Sequence, residues 1–475
     1  MIKSFRKGGG GGGARWSWLV SAVVTCACLT AALALSGRGS RAYTAYSLAV
    51  HKTKAIPAFA RKYHLPCSAC HTAWPELNAF GQAFKDRGYQ LGNDRDSPIF
   101  QNNAYIPLAL RTTPQFHLES TTKQPVDPTP GVAGPPFVEK TLTQTGFDFS
   151  GIDFLMLGTL FKNVTFGLVP TLDPDGTAGI ETAFVRFDNL GNSPWANIKL
   201  GKFELDNLLS EKRIILLSGN GGLYQSYHFL PLGDTLNNFG LGDNQIGVEL
   251  MGHSPNSYTR YSLAALTSTD GEAGLGAGSS YDAAFTLSHA LDAGSMGVER
   301  FGVYAYVGQR PTVFQTTGGG PLPYTEARKP FYRVGFTGNF SFGNLELLPF
   351  LMHASDDKAL TAGTQNAIWN AGLLEAHYFV NPQLAFLGRY EAIRMHQQAD
   401  PTTPKTQGDI DAFTVGLRRY VFMFSRAGLA MHGEYSLTKT IGNVPLSGDG
   451  AGVPPLNPGT AVWSSSVLLA LDFAF

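Results

Sequence analysis

Residues 467–475 read VLLALDFAF, and alternate positions of this stretch are apolar or aromatic, namely Val467, Leu469, Leu471, Phe473 and Phe475. Side chains at alternate positions of an extended strand point to the same face. One face of this stretch is therefore continuous and apolar. The alternation predicts a β-strand whose apolar face lies against lipid or against a protein core.

The same alternation recurs from Ala104 onward in segments of about ten residues, separated by turns and polar loops. Examples are residues 183–188, 198–203, 245–250, 301–307 and 413–418. The apolar positions of these segments hold Phe, Val, Leu and Tyr. The alternate positions hold small residues or the charges of Arg186, Lys199, Glu249 and Arg418. A soluble β-sandwich also alternates, but charges facing a wet lumen and large apolar residues facing lipid favour a membrane barrel.

Residues 467–475 resemble the C-terminal strand by which bacterial outer-membrane proteins are recognised for insertion. The 55 Gly, 32 Phe and 18 Tyr residues also suit many short strands with aromatic girdles. About 370 residues, at roughly 20 to 25 residues per strand and loop, predict about 16 strands. We therefore predict a mainly β fold, a transmembrane antiparallel β-barrel over residues 104–475 in the bacterial outer membrane. Its Pro/Gly-rich external loops are predicted at residues 124–137, 312–330, 397–410 and 441–463.

An export signal is predicted at residues 1–42. Basic residues in the first fifteen positions precede an apolar run at residues 18–35. The alternative is that residues 18–35 are an uncleaved inner-membrane anchor. After this run, no segment reaches about 18 consecutive apolar residues, the length of a membrane-spanning helix. The remainder can therefore cross a membrane only as strands. Charged residues make up 15% of the chain and the net charge is zero, which excludes nucleic acid as a partner.

Residues 66–71 read PCSACH and have the spacing of c-type haem attachment. In such a site Cys67 and Cys70 form thioethers to the haem, and His71 ligates the iron from one side. Cys26 and Cys28 fall within the apolar signal run, so no second cysteine pair is left to complete a zinc site. A CxxC disulfide is the other alternative. The export signal favours one covalently bound haem c.

The haem segment is predicted to span residues 50–103, with a helix that starts near Pro75–Glu76 and ends at Gly88. Its part around the motif, residues 55–91, has about 40 residues and is too small to enclose a macrocycle and bury its own core. A barrel of about 16 strands leaves a lumen unless something fills it. We therefore predict that this small helical segment plugs the lumen. The ligand opposite His71 is left open between His117, Met156, another inward-facing barrel residue and no ligand at all.

The order of signal, single CxxCH motif and barrel resembles the outer-membrane fused cytochrome-porins, typified by the iron-oxidising outer-membrane cytochromes. The local pattern Ala55-x-Pro57-x-Phe59-Ala60-Arg61 ahead of the haem motif carries the same resemblance. The family tends to place Gln and Gly where this chain has Lys62 and His64. This departure puts the identity of the electron donor in doubt. It does not alter the expectation of a haem and a barrel.

The resemblance implies electron transfer across the outer membrane through the haem, with Fe(II):cytochrome c oxidoreductase activity as the family-style reaction. The implied partners are outer-membrane lipid, a periplasmic electron-carrier protein and an external electron donor or acceptor such as iron. The alternative is a diffusion porin for small solutes, whose haem-bearing segment is a sensor or a structural plug. A periplasmic haem peroxidase is disfavoured because the sequence shows no distal acid/base pair.

Overall fold

The computed structural model describes residues 58–63, 65–91, 108–131, 137–206, 224–234, 237–273, 280–311, 328–358, 360–361, 363–423, 427–442 and 455–474. The predicted export signal lies outside these described residues. So do Ala55, Pro57, His64 and Phe475.

The described chain begins with a short, mixed segment at residues 58–91, called the N-terminal segment below. It contains helix α1 (Ala58–Tyr63), a 3-10 turn (Cys67–Ala69), a small antiparallel pair of strands, β1 (His71–Ala73) and β2 (Glu76–Leu77), and helix α2 (Ala79–Asp86). Only α1 and α2 are α-helical. The helix expected to start at Pro75–Glu76 begins instead at Ala79, because Glu76 pairs into the hairpin and Asn78 provides the N-cap.

Sixteen antiparallel strands then close into a barrel, which confirms the predicted strand number and pairing. The first eight are β3 (Leu108–Val126), β4 (Val138–Phe161), β5 (Val164–Leu172), β6 (Ala178–Phe187), β7 (Asn197–Glu204), β8 (Asn244–His253), β9 (Thr259–Thr267) and β10 (Tyr281–Asp292). The last eight are β11 (Val298–Pro311), β12 (Arg328–Phe342), β13 (Leu345–Asp356), β14 (Ala367–Asn381), β15 (Leu384–Gln397), β16 (Ile410–Met423), β17 (Gly428–Ile441) and β18 (Ala461–Ala474).

Strand β18 closes the barrel by pairing with β17 on one side and with β3 on the other. Leu469 is 55% exposed on the outer face, whereas the next residue, Ala470, is 5% exposed and faces inward. The predicted alternation of this strand is therefore confirmed over its described residues. Because the sheet is closed, its backbone groups have no unpaired edge to expose to lipid.

The two ends of the barrel differ in the length of their connections. Turns of two residues join β4 to β5, β12 to β13 and β14 to β15. The four predicted loops join β3 to β4, β11 to β12, β15 to β16 and β17 to β18, so all four lie at the opposite end. Outer-membrane barrels have short periplasmic turns and longer external loops. No helix in the described part of the chain is long and apolar enough to cross a membrane.

The connection between β7 and β8, residues 205–243, was not distinguished by the sequence pattern and is called the lumen loop below. Its described part carries helix α3 (Gln225–His228) and six buried apolar side chains: Leu205, Tyr224, Tyr227, Phe229, Phe239 and Leu241. These pack with inward-facing residues of the barrel wall in one apolar cluster, for example with Phe350 and Trp369. The described part of the lumen loop therefore folds into the barrel.

Candidate functional site

The two helices of the N-terminal segment pack through aromatic side chains. Phe59 and Tyr63 are four residues apart and so lie on one face of α1. Phe59 stacks on Tyr89 with ring centroids 5.0 Å apart, and both Phe59 and Tyr63 meet the edge of Phe84 in α2. This small aromatic core holds the ends of the N-terminal segment together and places the CxxCH turn between them.

Asn78 attaches the CxxCH turn to the start of α2. Its amide nitrogen donates to the carbonyl oxygens of Ser68 at 3.2 Å and Ala69 at 3.1 Å. Its amide oxygen accepts from the Gly81 N–H at 2.9 Å, and its backbone N–H donates to the Cys70 carbonyl at 3.0 Å. One side chain thus caps the helix and fixes the backbone between the two cysteines.

The His71 ring has one defined orientation. Its Nδ1 lies 3.1 Å from the Pro75 carbonyl oxygen and 3.2 Å from that of Glu76, so Nδ1 carries the proton and donates. Its Nε2 makes no hydrogen bond with any described residue. Burial lowers the pKa of His71 to about 4, which keeps the imidazole neutral near pH 7. A neutral ring with an available Nε2 is the form that ligates a metal.

A cavity of about 420 Å³ lies beside this ring, within the roughly 300–1,000 Å³ typical of ligand and cofactor sites. Cys67, Cys70 and His71 all line it. The barrel closes the opposite side with apolar residues and cations, including Phe184, Phe203, Met251, Arg111, Arg186 and Lys199. The three predicted site residues therefore converge on one space, and neither the segment nor the barrel encloses that space alone.

The residues suggested for the side opposite His71 lie elsewhere. His117 is buried in β3, with its Nε2 3.2 Å from the Ser466 hydroxyl, and neither it nor Met156 lines the cavity. Met251 of β8 does line the cavity and is 7% exposed. Alternation places Met251 on the same inward face as Glu249, but its position beside the cavity depends on the register of the strands and on the docking of the N-terminal segment, so sequence reasoning did not single it out.

Ion pairs attach α2 to one wall of the barrel. The Arg260 guanidinium in β9 lies 2.9 Å from Asp86 Oδ2 of α2 and 2.7 Å from Asp206 Oδ1, which follows β7. Arg186 in β6 donates to the carbonyl oxygens of Lys85 and Asp86. The charges that alternation assigned to the barrel interior are confirmed to face inward and are buried, and Arg186 is buried against the N-terminal segment.

A second set of contacts attaches the β1–β2 hairpin to the other side of the barrel. The Tyr420 hydroxyl in β16 donates to the Trp74 carbonyl at 2.5 Å, and the Arg111 guanidinium lies 4.9 Å from the centre of the Trp74 ring. Glu76 meets His377 of β14. Strands β6 and β14 are eight positions apart in the ring of sixteen. The N-terminal segment therefore contacts opposite walls of the lumen.

The contact sites also locate the N-terminal segment along the barrel axis. Thr165, two residues past the β4–β5 turn, donates to the Gly88 carbonyl at 3.3 Å. Arg87 donates to the Pro255 carbonyl in the turn between β8 and β9 at 3.0 Å. Both contacts lie at the short-turn end of the barrel.

The Cys70 thiol is unlike the reactive thiol of redox-active CxxC sites. Burial, followed by the proximity of Cys67, raises the pKa of Cys70 to about 11. Reactive cysteines in CxxC motifs have a lowered pKa instead. The surroundings of Cys70 therefore disfavour a thiolate and with it thiol–disulfide exchange.

Comparison with known proteins bears on the fold. No protein-family model matches the sequence, and no curated protein matches it significantly. Among solved structures, the chain is similar to an anion-selective porin from Comamonas acidovorans, with a TM-score of 0.51 and 11% identity, over 78% of this chain and 99% of that chain. DcaP, an outer-membrane channel of Acinetobacter baumannii, has a TM-score of 0.46 and 12% identity, over 80% of this chain and 100% of that chain.

This likeness is one of fold. The chain is an outer-membrane barrel with the sixteen-strand architecture of porins, and large apolar side chains such as Leu263, Leu351 and Leu469 on its outer face meet the lipid. A porin-like barrel is also what the diffusion-porin alternative expects. The haem motif lies in the N-terminal segment, and the barrel fold carries no information about it.

Proposed function

We propose that this chain binds one covalent c-type haem inside its porin-like barrel and transfers electrons across the outer membrane. The observation that carries the proposal is the geometry of residues 67–71. Cys67, Cys70 and His71 line one cavity, and the His71 ring is held by its Nδ1 so that Nε2 remains available. Thioether attachment and axial ligation need this arrangement of two thiols and an imidazole.

The remaining cavity residues fit the group as well. Aromatic and aliphatic side chains such as Phe84, Leu155 and Phe203 suit the faces of a porphyrin. Arg111, paired with Asp472, and Lys199, paired with Glu249, also line the cavity. A haem bound here would supply one-electron redox chemistry, while the protein sets its position, ligation and electrostatic surroundings. Met251 also lines the cavity, and its thioether sulfur would be available to ligate a haem iron.

The position of the cavity along the barrel axis indicates which electron-transfer partners act on each side of the membrane. The N-terminal segment lies at the short-turn end, which faces the periplasm in outer-membrane barrels. A periplasmic electron-carrier protein is the partner on that side, and an external donor or acceptor, with iron as the family-style candidate, is the partner on the other. Phe184 and Phe203 of the cavity wall belong to the apolar cluster that reaches Phe239 in the lumen loop. A continuous cluster of buried side chains that includes these phenylalanines thus connects the cavity to the lumen loop.

Electron transfer is tested with the full chain reconstituted in liposomes that contain an electron acceptor, with a membrane-impermeant reductant outside. We expect the wild type to reduce the trapped acceptor and to show the reduced-minus-oxidised spectrum of a c-type haem. Cys67→Ala should lose both, while His432→Gln, a change in β17 at a residue that does not line the cavity, should retain both. Normal electron transfer by the Cys67→Ala variant would refute the proposal.

A second candidate is a diffusion porin, which the porin-like fold favours. In this case liposomes that contain the wild type swell in small sugars at the rate of an open porin, and Cys67→Ala swells equally. The two functions are separable because the first needs the thiols and the second needs only an open lumen. The buried aromatic residues of the lumen loop lead us to expect slow swelling.

A further inference from the structure

A second cluster of metal-ligating side chains lies outside the cavity, where β2 of the N-terminal segment meets β13 and β14. Glu76, Glu346 and His377 each direct one ligand atom to a common point, with all of these atoms within 4.8 Å of one another. His377 Nδ1 lies 3.0 Å from Glu76 Oε2 and 3.5 Å from Glu346 Oε2. Two ligands bound to one metal ion at about 2.1 Å lie about 3 to 3.5 Å apart, so these separations are those of a ligand set.

The ligand atoms lack the hydrogen bonds that buried polar groups normally make. Glu76 is 6% exposed and His377 is fully buried, yet beyond their contacts with one another both Glu76 oxygens, Glu346 Oε2 and His377 Nδ1 have no hydrogen-bond partner among the described residues. An unsatisfied buried polar group costs about 1–3 kcal/mol, and more if it is charged. Four such atoms directed at one point indicate that a further group satisfies them.

The other nitrogen of His377 is already occupied. His377 Nε2 lies 2.5 Å from Glu375 Oε1, and the second oxygen of Glu375 accepts from the Tyr224 hydroxyl of the lumen loop. A carboxylate bound to the far nitrogen of an imidazole is the usual support of a metal-ligating histidine, because it fixes the ring and raises its basicity. The lone pair of Nδ1 is thereby directed at Glu76 and Glu346.

The charge of the cluster favours a divalent cation. Three carboxylates (Glu76, Glu346 and Glu375) surround one imidazole, so the acidic groups of the cluster outnumber its one basic group. The Arg389 guanidinium nearby is paired with Glu391, with Nε 3.0 Å from Oε1. Buried charges persist when they are paired or coordinate a metal.

We propose that Glu76, Glu346 and His377 Nδ1 form a binding site for one divalent first-row transition-metal ion, with Glu375 as the positioning residue. Imidazole together with carboxylates suits ions such as Mn(II), Fe(II) or Zn(II). The site joins the N-terminal segment to the barrel wall. It uses none of the haem-motif side chains and does not depend on electron transfer as the function of the chain.

The test uses the purified full chain, stripped with a chelator and titrated with Mn(II), whose free form is followed by electron paramagnetic resonance. We expect the wild type to bind one equivalent. Glu76→Gln, Glu346→Gln and His377→Gln should each lose this binding, and Glu375→Gln should weaken it 10- to 100-fold, as supporting carboxylates do. Glu76 lies outside the barrel strands, so its variant removes a ligand without altering the wall.

The matched control is His432→Gln. His432 of β17 is also buried and also contacts a carboxylate two residues along its strand, Glu434, but no described third ligand joins this pair. This variant should bind Mn(II) as the wild type does. The proposal is overturned if the wild type binds no tighter than Glu76→Gln, or if His432→Gln loses binding to the same extent as His377→Gln.

Discussion

At the scale of single residues, Asn78 determines how firmly the CxxCH turn is held. Asn and Asp are equally good N-cap residues, so Asn78→Asp keeps the cap on α2. It replaces the amide donor with an oxygen that faces the carbonyls of Ser68 and Ala69. We expect faster amide hydrogen exchange at residues 69–70, measured by mass spectrometry, with little change within α2. Exchange equal to that of the wild type would mean that the hydrogen bonds from the Asn78 amide nitrogen to Ser68 and Ala69 do not stabilise the turn.

Gly81 gives a second prediction at this scale. Alanine in a helix interior is normally better than glycine by about 1 kcal/mol. Here a Cβ on Gly81 would lie 2.0 Å from the Cys70 carbonyl oxygen, a backbone atom that cannot move without displacing the motif. Gly81→Ala should therefore increase the rate of proteolysis of the N-terminal segment in the native protein. A decrease in this rate would show that α2 and the motif are not in close contact.

At the scale of elements, α2 is attached by charge as well as by packing. Arg260 joins Asp86 of the helix to Asp206 of the wall, with all three side chains at least nine-tenths buried. Removing one partner of a buried ion pair costs on the order of 3–5 kcal/mol. Because Asp206 still pairs with Arg260, we expect Asp86→Asn to lower the stability of the folded protein by about 3 kcal/mol, the lower end of this range. The variant should also expose the N-terminal segment to protease.

The control for this prediction is Asp356→Asn. Asp356 is paired with Arg333 inside the barrel at 3.0 Å, away from α2. Its loss should lower the temperature at which the barrel unfolds but should not accelerate cleavage within residues 58–91. Equal cleavage in both variants would show that the docking of α2 does not depend on its ion pair.

At the scale of the whole molecule, two separate parts of the chain occupy the lumen. The N-terminal segment lies at the short-turn end and contacts opposite walls, and the lumen loop packs on the inner faces of β11 to β15. The barrel is closed by strand pairing alone, since β18 pairs with β3. The strands therefore need neither part in order to form a closed sheet.

This arrangement predicts the behaviour of a chain from which residues 50–103 are deleted. We expect it to remain a barrel that shifts its gel mobility on heating and to conduct ions in planar bilayers better than the full chain. Its conductance should stay below that of an open porin, because the lumen loop remains. Equal conductance with and without residues 50–103 would mean that the N-terminal segment does not obstruct the lumen.

Much of this architecture could be predicted from the sequence. Alternation is a property of the extended backbone itself, so residues 183–188 and 467–474 reveal their strands and their two faces without any knowledge of neighbours. The CxxCH spacing likewise identifies Cys67, Cys70 and His71 as a set, because these residues are adjacent in the chain. The start of α2 was predicted too early, because pairing of Glu76 with Ala73 and capping by Asn78 override the local helical preference of Pro75–Glu76.

Only the tertiary structure decided which distant residues meet. Glu76 reaches Glu346 and His377, and Met251 reaches the cavity beside His71, through the closure and register of the barrel, which no local pattern encodes. The inward fold of the lumen loop depends in the same way on apolar surface that the closed wall presents to it. The periodicity of one strand determines the face on which a side chain lies, whereas its partner across the lumen depends on the pairing of all sixteen strands.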